Sequence, residues 1–247
     1  MSTAWPEGYA RAHHATLDST NEEARRLALT GQTQPIWITA DQQTAGRGRR
    51  GRVWVSPPGN LAATLLIRPG KPAAQCAQLS FAAAIAAHET IAHFAPNAPI
   101  AVKWPNDVLV GDRKIAGILL ESASTGTVPE WLAIGIGINL AHFPPDTEFP
   151  ATALAALGIP TPNPADALTH LAASFAKWYD LWQDHGFAPL RDAWLARAKG
   201  LGTRIRARLG DGEYWGMFEG IDETGALILR ETPGKTRIIA AGEVFFG

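Results

Sequence analysis

The sequence predicts an α+β protein with a mixed sheet in a large domain and a small all-β barrel at its carboxyl end. Up to about residue 199, aliphatic runs of strand length alternate with Ala-rich or amphipathic stretches of helical length. Beyond Lys199-Gly200-Leu201-Gly202, four short strand candidates are separated by Gly-containing turns. We therefore expect one domain over residues 1–199 and a second over residues 200–247, which is small enough to need docking onto the first.

Composition and charge limit the class of protein. The chain has 247 residues, of which 46% are hydrophobic and 18% are charged, and its formal net charge is −1. These values are typical of a globular protein, whereas a general nucleic-acid binder usually has a basic excess. Cys76 is the only cysteine, so the chain offers no internal disulfide and no Cys-based zinc site. No signal peptide or membrane-spanning run is recognisable, so we expect a cytoplasmic protein.

The predicted elements begin with a helix over residues 19–29, where Ser19 and Glu22 form a capping-box pattern. No element is assigned before it. The other predicted helices cover residues 75–94, 166–185 and 190–198. The predicted strands cover residues 36–40, 61–67, 100–110 with a turn at 105–107, 114–121, 130–140, 204–209, 214–221, 226–230 and 237–240. Residues 143–164 are Pro-rich and irregular around a short Ala/Leu helix.

The loop between the first two predicted strands is the most unusual stretch, and we call residues 43–60 the Arg loop. Four arginines and three glycines occupy residues 46–52, and Trp54 follows them. Glycine lets the backbone approach a ligand closely, and guanidinium groups suit a carboxylate or a phosphate. The loop therefore suits a ligand with a small apolar body and an anionic head. A solvated patch, a localisation signal or an RNA contact would show the same composition.

Two further features admit both a binding and a structural interpretation. Gly117, Gly135 and Gly137 interrupt two aliphatic strands, which indicates either a groove floor under a ligand or tight packing of a helix on the sheet. The Ser-Thr-Asn sequence that opens the first helix supplies hydroxyl and amide groups. These groups either cap the helix or hold a polar ligand ring.

One ordered set of motifs covers nearly the whole chain. Ser19-Thr20-Asn21 is followed by GRGRRGRVW at residues 46–54, KWPND at 103–107, RKIAGILLE at 113–121 and GIGIN at 135–139, and the small β domain carries GID at 220–222 and GEV at 242–244. In this order, the motifs resemble those of the biotin–protein ligases. The resemblance implies a mixed sheet with helices on one side, as in class II synthetases and the biotin and lipoate ligases, joined to an SH3-like barrel.

The resemblance also implies a reaction in two steps. Biotin and ATP give biotinyl-5′-AMP and pyrophosphate, and the activated biotin then passes to one lysine of a biotin carboxyl carrier protein. That carrier belongs to acetyl-CoA carboxylase or a related carboxylase. ATP and Mg²⁺ are then the co-substrate and its ion, biotin is a substrate, and no bound prosthetic group is expected.

Residue roles follow from the same resemblance. The residues expected to bind biotin are Ser19, Thr20, Asn21, Gln43, Arg47, Gly48, Arg49, Lys114 and Gly117. The residues expected on the nucleotide side are Trp54, Lys103, Asn106, Asp107 and Asn139. Among them, Lys114, Arg47 and Arg49 are expected to be catalytic, and Asp107 is the candidate Mg²⁺ ligand. The cationic groups would offset the repulsion between the biotin carboxylate and the α-phosphate of ATP.

The sequence departs from many ligases of this family at its amino end. The Ser-Thr-Asn motif begins at residue 19, which leaves no room before it for a helix-turn-helix. We therefore expect a ligase without specific DNA binding and without a membrane anchor; a homodimer is left open. The nearest alternative is a lipoate–protein ligase or octanoyltransferase. An alternative of another class is a nucleic-acid-binding module that uses the Arg loop and the barrel.

Overall fold

The large sheet has seven strands. The computed structural model describes residues 3–123 and 126–246. The strands are β1 (Ala10–Leu17), β2 (Ile36–Gln43), β3 (Leu61–Ile67), β4 (Ile100–Lys103), β5 (Asp107–Val110), β6 (Arg113–Ala123) and β7 (Trp131–Ile138). They lie in the order β1-β2-β3-β7-β6-β5-β4. Only β1 and β2 pair in parallel in this sheet, so the predicted mixed sheet is confirmed.

Helices cover both faces of this sheet. They are α1 (Thr20–Leu29), α2 (Ala73–Cys76), α3 (Leu79–Phe94), α4 (Pro164–His185) and α5 (Ala188–Leu195). Because successive strand residues point to opposite faces, Trp37 packs on Phe175 of α4 while Ile38 packs beneath α1. The long helices α3 and α4 thus share one face, as the resemblance implied. Helix α1 lies on the other face, where it leaves part of the sheet free for a site.

The small sheet is antiparallel and has five strands, in the order β11-β10-β9-β8-β12. They are β8 (Arg204–Leu209), β9 (Gly212–Ile221), β10 (Leu227–Thr232), β11 (Lys235–Ile239) and β12 (Glu243–Phe246). The architecture agrees with the expected SH3-like barrel. The sequence predicted four of these strands and missed β12, which has only four residues and is defined by its pairing with β8.

The two sheets share one hydrophobic core. Buried residues of the small sheet, such as Phe218 and Leu227, belong to the same cluster as α3 and α4. A polar contact reinforces the junction: the indole Nε1 of Trp104 donates to the carbonyl oxygen of Gly225 at 3.1 Å. The expected docking is therefore present. The division at residues 199 and 200 stays a prediction, because the core runs across it.

Two local expectations at the amino end differ from the structure. No strand was predicted before residue 19, yet β1 lies at the edge of the sheet. It is held there by hydrogen bonds to β2, and the mixed sequence of β1 does not predict this pairing. Ser19 occupies the N-cap position of α1, but its side chain makes no capping hydrogen bond. Glu22 forms ion pairs with Arg25 and Arg47 instead of closing a capping box. The capping-box expectation is therefore wrong.

Across residues 3–123 and 126–246, no helix is both long enough and apolar enough to cross a lipid bilayer.

The Trp104 contact generates a stability prediction. Trp104→Phe removes a buried hydrogen bond and leaves the Gly225 carbonyl unpaired, so we expect the free energy of unfolding to fall by about 2 kcal/mol. Urea unfolding measures this change. Trp5→Phe is the control, since Trp5 also donates an indole hydrogen bond, to Tyr9, but from a half-buried position. Equal losses in the two variants would show that Trp104 does not secure the junction.

Candidate active site

A cavity of about 260 Å³ opens on the face of the sheet that carries α1. Its walls are the start of α1, the Arg loop, β6, β7, the turn between β4 and β5, and the start of β12. The predicted site residues that line it are Ser19, Thr20, Asn21, Gln43, Arg47, Gly48, Arg49, Trp54, Lys103, Asn106, Asp107, Lys114, Gly117 and Asn139. The structure thus brings all of them together, while their individual roles stay predictions.

A network of hydrogen bonds organises the wall formed by α1. Gln43 Oε1 accepts from the backbone and hydroxyl of Thr20, at 2.8 and 3.1 Å. The hydroxyl of Thr64 lies 2.7 Å from that of Thr20 and donates to Asn21 Oδ1 at 2.6 Å. Asn21 Nδ2 in turn donates to Glu121 Oε2 at 2.7 Å. This wall therefore presents polar groups whose orientations are fixed by one another.

Sequence reasoning missed Thr64 and Glu121. Thr64 is fully buried in β3, which is otherwise made of aliphatic residues and Ala. A lone hydroxyl in such a strand needs a hydrogen-bond partner, and this is the signal that could have identified it. Glu121 lies at the exposed end of an aliphatic strand, where a carboxylate is unremarkable, and no sequence signal distinguishes it.

Gly135 and Gly137 leave room for two other side chains of the protein. A Cβ at Gly135 would lie 2.3 Å from Asn21 Oδ1, and one at Gly137 would lie 2.4 Å from Trp54 Cε2. Both distances are too short for any side chain. The expected groove floor exists, but Asn21 and the Trp54 indole cover these glycines, so the interpretation of a ligand lying directly on them is wrong. The glycines instead set the depth at which Asn21 and Trp54 sit.

Three of the four Arg-loop arginines are paired with carboxylates. Arg47 contacts Glu22 at 3.1 Å and Glu121 at 3.5 Å. Arg50 and Arg52 reach Glu243 of β12, at 3.7 and 2.6 Å. The outer arginines therefore tie the loop to α1 on one side and to the small sheet on the other.

Glu243 is the point where the small sheet holds the Arg loop. Its carboxylate is buried and also accepts a hydrogen bond from Arg208 at 2.6 Å. Burial alone would raise the pKa of Glu243, but the Arg208 hydrogen bond and the charges of Arg52, Arg208 and Arg50 outweigh it and hold this pKa below its ordinary value. Glu243 therefore stays ionised and can hold the loop at neutral pH.

On the opposite side of the cavity, polar contacts fix the groups expected near the nucleotide. Lys114 Nζ lies 2.6 Å from Asp107 Oδ1 and 5.5 Å from the centroid of the Trp54 ring. Asn106 Nδ2 donates to the carbonyl of Ile118 at 2.7 Å, and Asn139 Nδ2 donates to that of Thr152 at 3.0 Å. Asn139 is buried, so its amide orients the loop after β7 as well as lining the cavity.

Two cations in the cavity have no carboxylate within 4 Å in the part of the chain that the structure describes. Arg49 donates only to the neutral amide of Asn106, at 3.3 Å, and Lys103 forms no ion pair. Burial lowers the pKa of both groups. Removing a cation from water without an opposing charge is costly, so these two groups favour an anion in the cavity.

The described residues do not form a metal cage. No group of three or more His, Cys, Asp or Glu side chains within residues 3–123 and 126–246 could hold an ion. Three carboxylates line the cavity, and each is already paired: Asp107 with Lys114, Glu148 with Arg52 and Arg208, and Glu243 with Arg50, Arg52 and Arg208. This donor set suits a Mg²⁺ ion that is carried mainly by phosphate oxygens and water.

Comparison with known proteins places the chain in a family. The biotin/lipoate A/B protein ligase family model matches residues 14–139, and the biotin protein ligase C-terminal domain model matches residues 200–247. The biotin–[acetyl-CoA-carboxylase] ligase of Paracoccus denitrificans is 48% identical over 94% of this chain and 99% of its own length. The chain belongs to the biotin protein ligase family. The broader family model that matches residues 14–139 also includes the lipoate ligases.

Further relatives support this assignment. The bifunctional ligase/repressor of Bacillus subtilis is 36% identical over 93% of this chain and 72% of its own length. The structure of the biotin protein ligase from Aquifex aeolicus in complex with biotin and ATP superimposes with a TM-score of 0.81 at 26% identity, covering 96% of this chain and 97% of that one. The predicted family and fold class are thereby confirmed.

The contact between Gly137 and Trp54 generates a prediction about binding. Gly137→Ala places a methyl group where the indole lies, so Trp54 must move, and we expect the Kd for ATP to rise at least about tenfold. Calorimetry with ATP measures this affinity. Gly210→Ala is the control, because a Cβ there meets no atom within 4 Å. An unchanged ATP affinity in folded Gly137→Ala would contradict the assigned place of Trp54.

The Glu243 contacts generate a prediction about pH. Because its pKa is lowered in the folded state, Glu243 stabilises the protein above its ordinary pKa of 4.5, and this contribution is lost as the pH falls through the lower folded value. We expect Glu243→Gln to cost about 2 kcal/mol near pH 7 and progressively less below about pH 4.

Urea unfolding across this pH range tests the prediction. Glu219→Gln is the matched control, since Glu219 pairs only with Arg230 at the surface of the same sheet and should contribute little. A cost for Glu243→Gln that does not depend on pH would contradict the ion-pair account.

Proposed function

We propose that this chain activates biotin with ATP and transfers it to a lysine of the biotin carboxyl carrier protein of acetyl-CoA carboxylase. The proposal is supported by the activity of the Paracoccus relative and by the biotin and ATP bound in the Aquifex structure. The observation that carries it is the cavity itself, which is lined by a fixed polar wall and by Arg49 and Lys103, two cations without a carboxylate within 4 Å among the described residues. The wall suits the polar ureido ring of biotin, and the cations suit the anionic groups of the two substrates, the biotin carboxylate and the phosphates of ATP.

The polar wall favours biotin over lipoate. The ureido ring both donates and accepts hydrogen bonds, and Ser19, Thr20, Asn21 and Gln43 supply matching groups around it. The dithiolane ring of lipoate has no comparable donor or acceptor, so it would form fewer hydrogen bonds with this wall than the ureido ring. We therefore place the ureido ring against α1 and the carboxylate toward Arg49 and Lys114.

In the first step, a carboxylate oxygen of biotin bonds to the α-phosphorus of ATP, and the bond from that phosphorus to the pyrophosphate oxygen breaks. Both reactants are anionic, so their approach needs positive charge. Arg49, Lys103 and Lys114 line the cavity and would supply it. Trp54 would flank the adenine, and Arg47 and Gly48 would cover the adenylate. No covalent enzyme intermediate is required, so positioning and charge stabilisation carry the step.

We treat Mg²⁺ as part of the nucleotide substrate. When bound, it would neutralise phosphate charge during pyrophosphate departure. Asp107 is the residue proposed to contact it: Oδ1 lies 2.6 Å from Lys114 Nζ, and the second carboxylate oxygen would be the one offered to the ion.

In the second step, the neutral amine of the carrier lysine attacks the acyl carbon, and AMP leaves with the bonding electrons. The amine must lose a proton, and Asp107 is the carboxylate that we propose to accept it, since it borders the cavity. Coverage by the Arg loop would keep water from the acyl phosphate. We propose the cytoplasm as the place of action, and the single free cysteine, which is buried, is compatible with a reducing compartment.

The decisive experiment measures both steps with the intact protein. ATP–pyrophosphate exchange should depend on biotin, and mass spectrometry should show one biotinyl group added to a carrier domain. Lipoate in place of biotin, and a carrier whose acceptor lysine is replaced by arginine, are the controls. Exchange with lipoate but not with biotin would overturn the proposal.

Lys114 generates the sharpest prediction for the first step. Lys114→Ala removes a cation proposed to contact both the carboxylate and the phosphate, so we expect the biotin-dependent exchange rate to fall at least about a hundredfold. Lys199→Ala is the control, because Lys199 pairs with the exposed Asp112 and does not line the cavity. Thermal unfolding should show that both variants are folded. A near-normal exchange rate in folded Lys114→Ala would contradict the assignment.

A further inference from the structure

Lys103 is held by aromatic rings and not by carboxylates. Its side chain is only 6% exposed, it lines the cavity, and no carboxylate lies within 4 Å of its ammonium among the described residues. Its Nζ lies 4.0 Å from the ring centroid of Phe149, 5.7 Å from that of Phe245 and 5.9 Å from that of Phe246. Phe149 follows β7 in the chain, whereas the other two rings belong to β12 of the small sheet.

The rings themselves form one unit. Phe149 and Phe245 stack with centroids 5.1 Å apart and planes 27° apart. This contact joins the segment after β7 to the small sheet beside the cavity. Both side chains are half-buried, and neither belongs to the main hydrophobic core.

The chemistry of this arrangement differs from that of an ion pair. A carboxylate would hold the ammonium but cancel its charge, as Asp107 does for Lys114. An aromatic face attracts a cation through its quadrupole and leaves the net charge in place. Burial lowers the pKa of Lys103; the more distant carboxylates of Asp107, Glu243 and Glu148 oppose this effect, and the charge of Lys114 adds to it. The rings therefore keep a charged ammonium fixed in the cavity and available to an anion.

We propose that Phe149 and Phe245 are positioning residues, which hold the Lys103 ammonium where it binds the phosphate chain of ATP and the departing pyrophosphate. This inference rests on the proposed ligase function and deepens it. If so, the small sheet contributes directly to the affinity for ATP through Phe245. This contribution is separate from the ion pairs between Glu243 and the Arg loop. The biotin end of the cavity lies against α1, so biotin affinity should not depend on these rings.

Substitutions that keep the size but remove the aromatic face test the proposal. In Phe149→Leu and Phe245→Leu, the Kd for ATP, measured by calorimetry without biotin, should rise about tenfold. The Kd for biotin should stay unchanged. Phe149→Tyr and Phe245→Tyr keep an aromatic face and should bind ATP within about twofold of the wild type. Trp215→Leu is the control, because Trp215 is an exposed aromatic residue of the same sheet that contacts Arg204 and Arg206 and not Lys103.

A double-mutant cycle separates a positioning role from a general packing role. Phe149 also faces Arg52, and Phe245 faces Arg206 and Arg208, at 4.4 and 4.7 Å, so each ring has further cations beside it. If the rings act through Lys103, neither leucine substitution should weaken ATP binding further once Lys103→Met is present. Thermal unfolding of each variant verifies that it is folded.

The outcomes are distinguishable. Additive effects on ATP binding in the Lys103→Met background, or an equal loss of biotin affinity, would overturn the positioning role while leaving the ligase function in place. Loss of ATP affinity that disappears in that background would support it. A wild-type protein without biotin-dependent ATP–pyrophosphate exchange would overturn the proposed function itself.

Discussion

The constraint on which the rest of the structure depends is electrostatic: several cations must be held together in one cavity. Like charges at such distances repel, and burial strengthens the repulsion. The fold meets this constraint by bringing carboxylates from separate elements, so that Glu22, Glu121, Asp107 and Glu243 each neutralise part of the charge. Among the residues that the structure describes, no carboxylate lies within 4 Å of the Arg49 or Lys103 cation, so these two charges remain available to an anion in the cavity.

The small sheet helps to build the cavity. It shares the hydrophobic core of the large sheet, and Trp104 links it directly to the turn that carries Asn106 and Asp107. The same sheet supplies Glu243 to the Arg loop and Phe245 to Lys103. The groups of the large sheet that are proposed to bind the nucleotide therefore take their positions partly from the carboxyl-terminal residues.

The sequence predicted much of this fold because aliphatic periodicity, turn residues and an ordered set of motifs are local properties. It also placed all its candidate residues on one cavity, since the motif order carries information that no single motif has. Prediction from the sequence failed where a residue depends on a contact with a residue that is distant in the chain. The pairing of β1, the missing Ser19 cap, the cover of Gly137 by Trp54 and the burial of Thr64 all depend on contacts between separate segments. The individual roles of the site residues stay predictions for the same reason, because the cavity shows proximity and not contact with a substrate.

The polar wall described beside α1 has a consequence for how the protein folds. Its hydrogen bonds join residues that are far apart in the chain: Asn21 and Glu121 are separated by 100 positions, and Asn21 and Thr64 by 43. Contacts of this kind close large loops and form only after the entropy of the intervening chain has been lost. Helices such as α4 depend on neighbours within a few residues and can form much earlier. During refolding, the ability to hold a ligand should therefore arise after most of the secondary structure, as one of the last properties that the chain acquires.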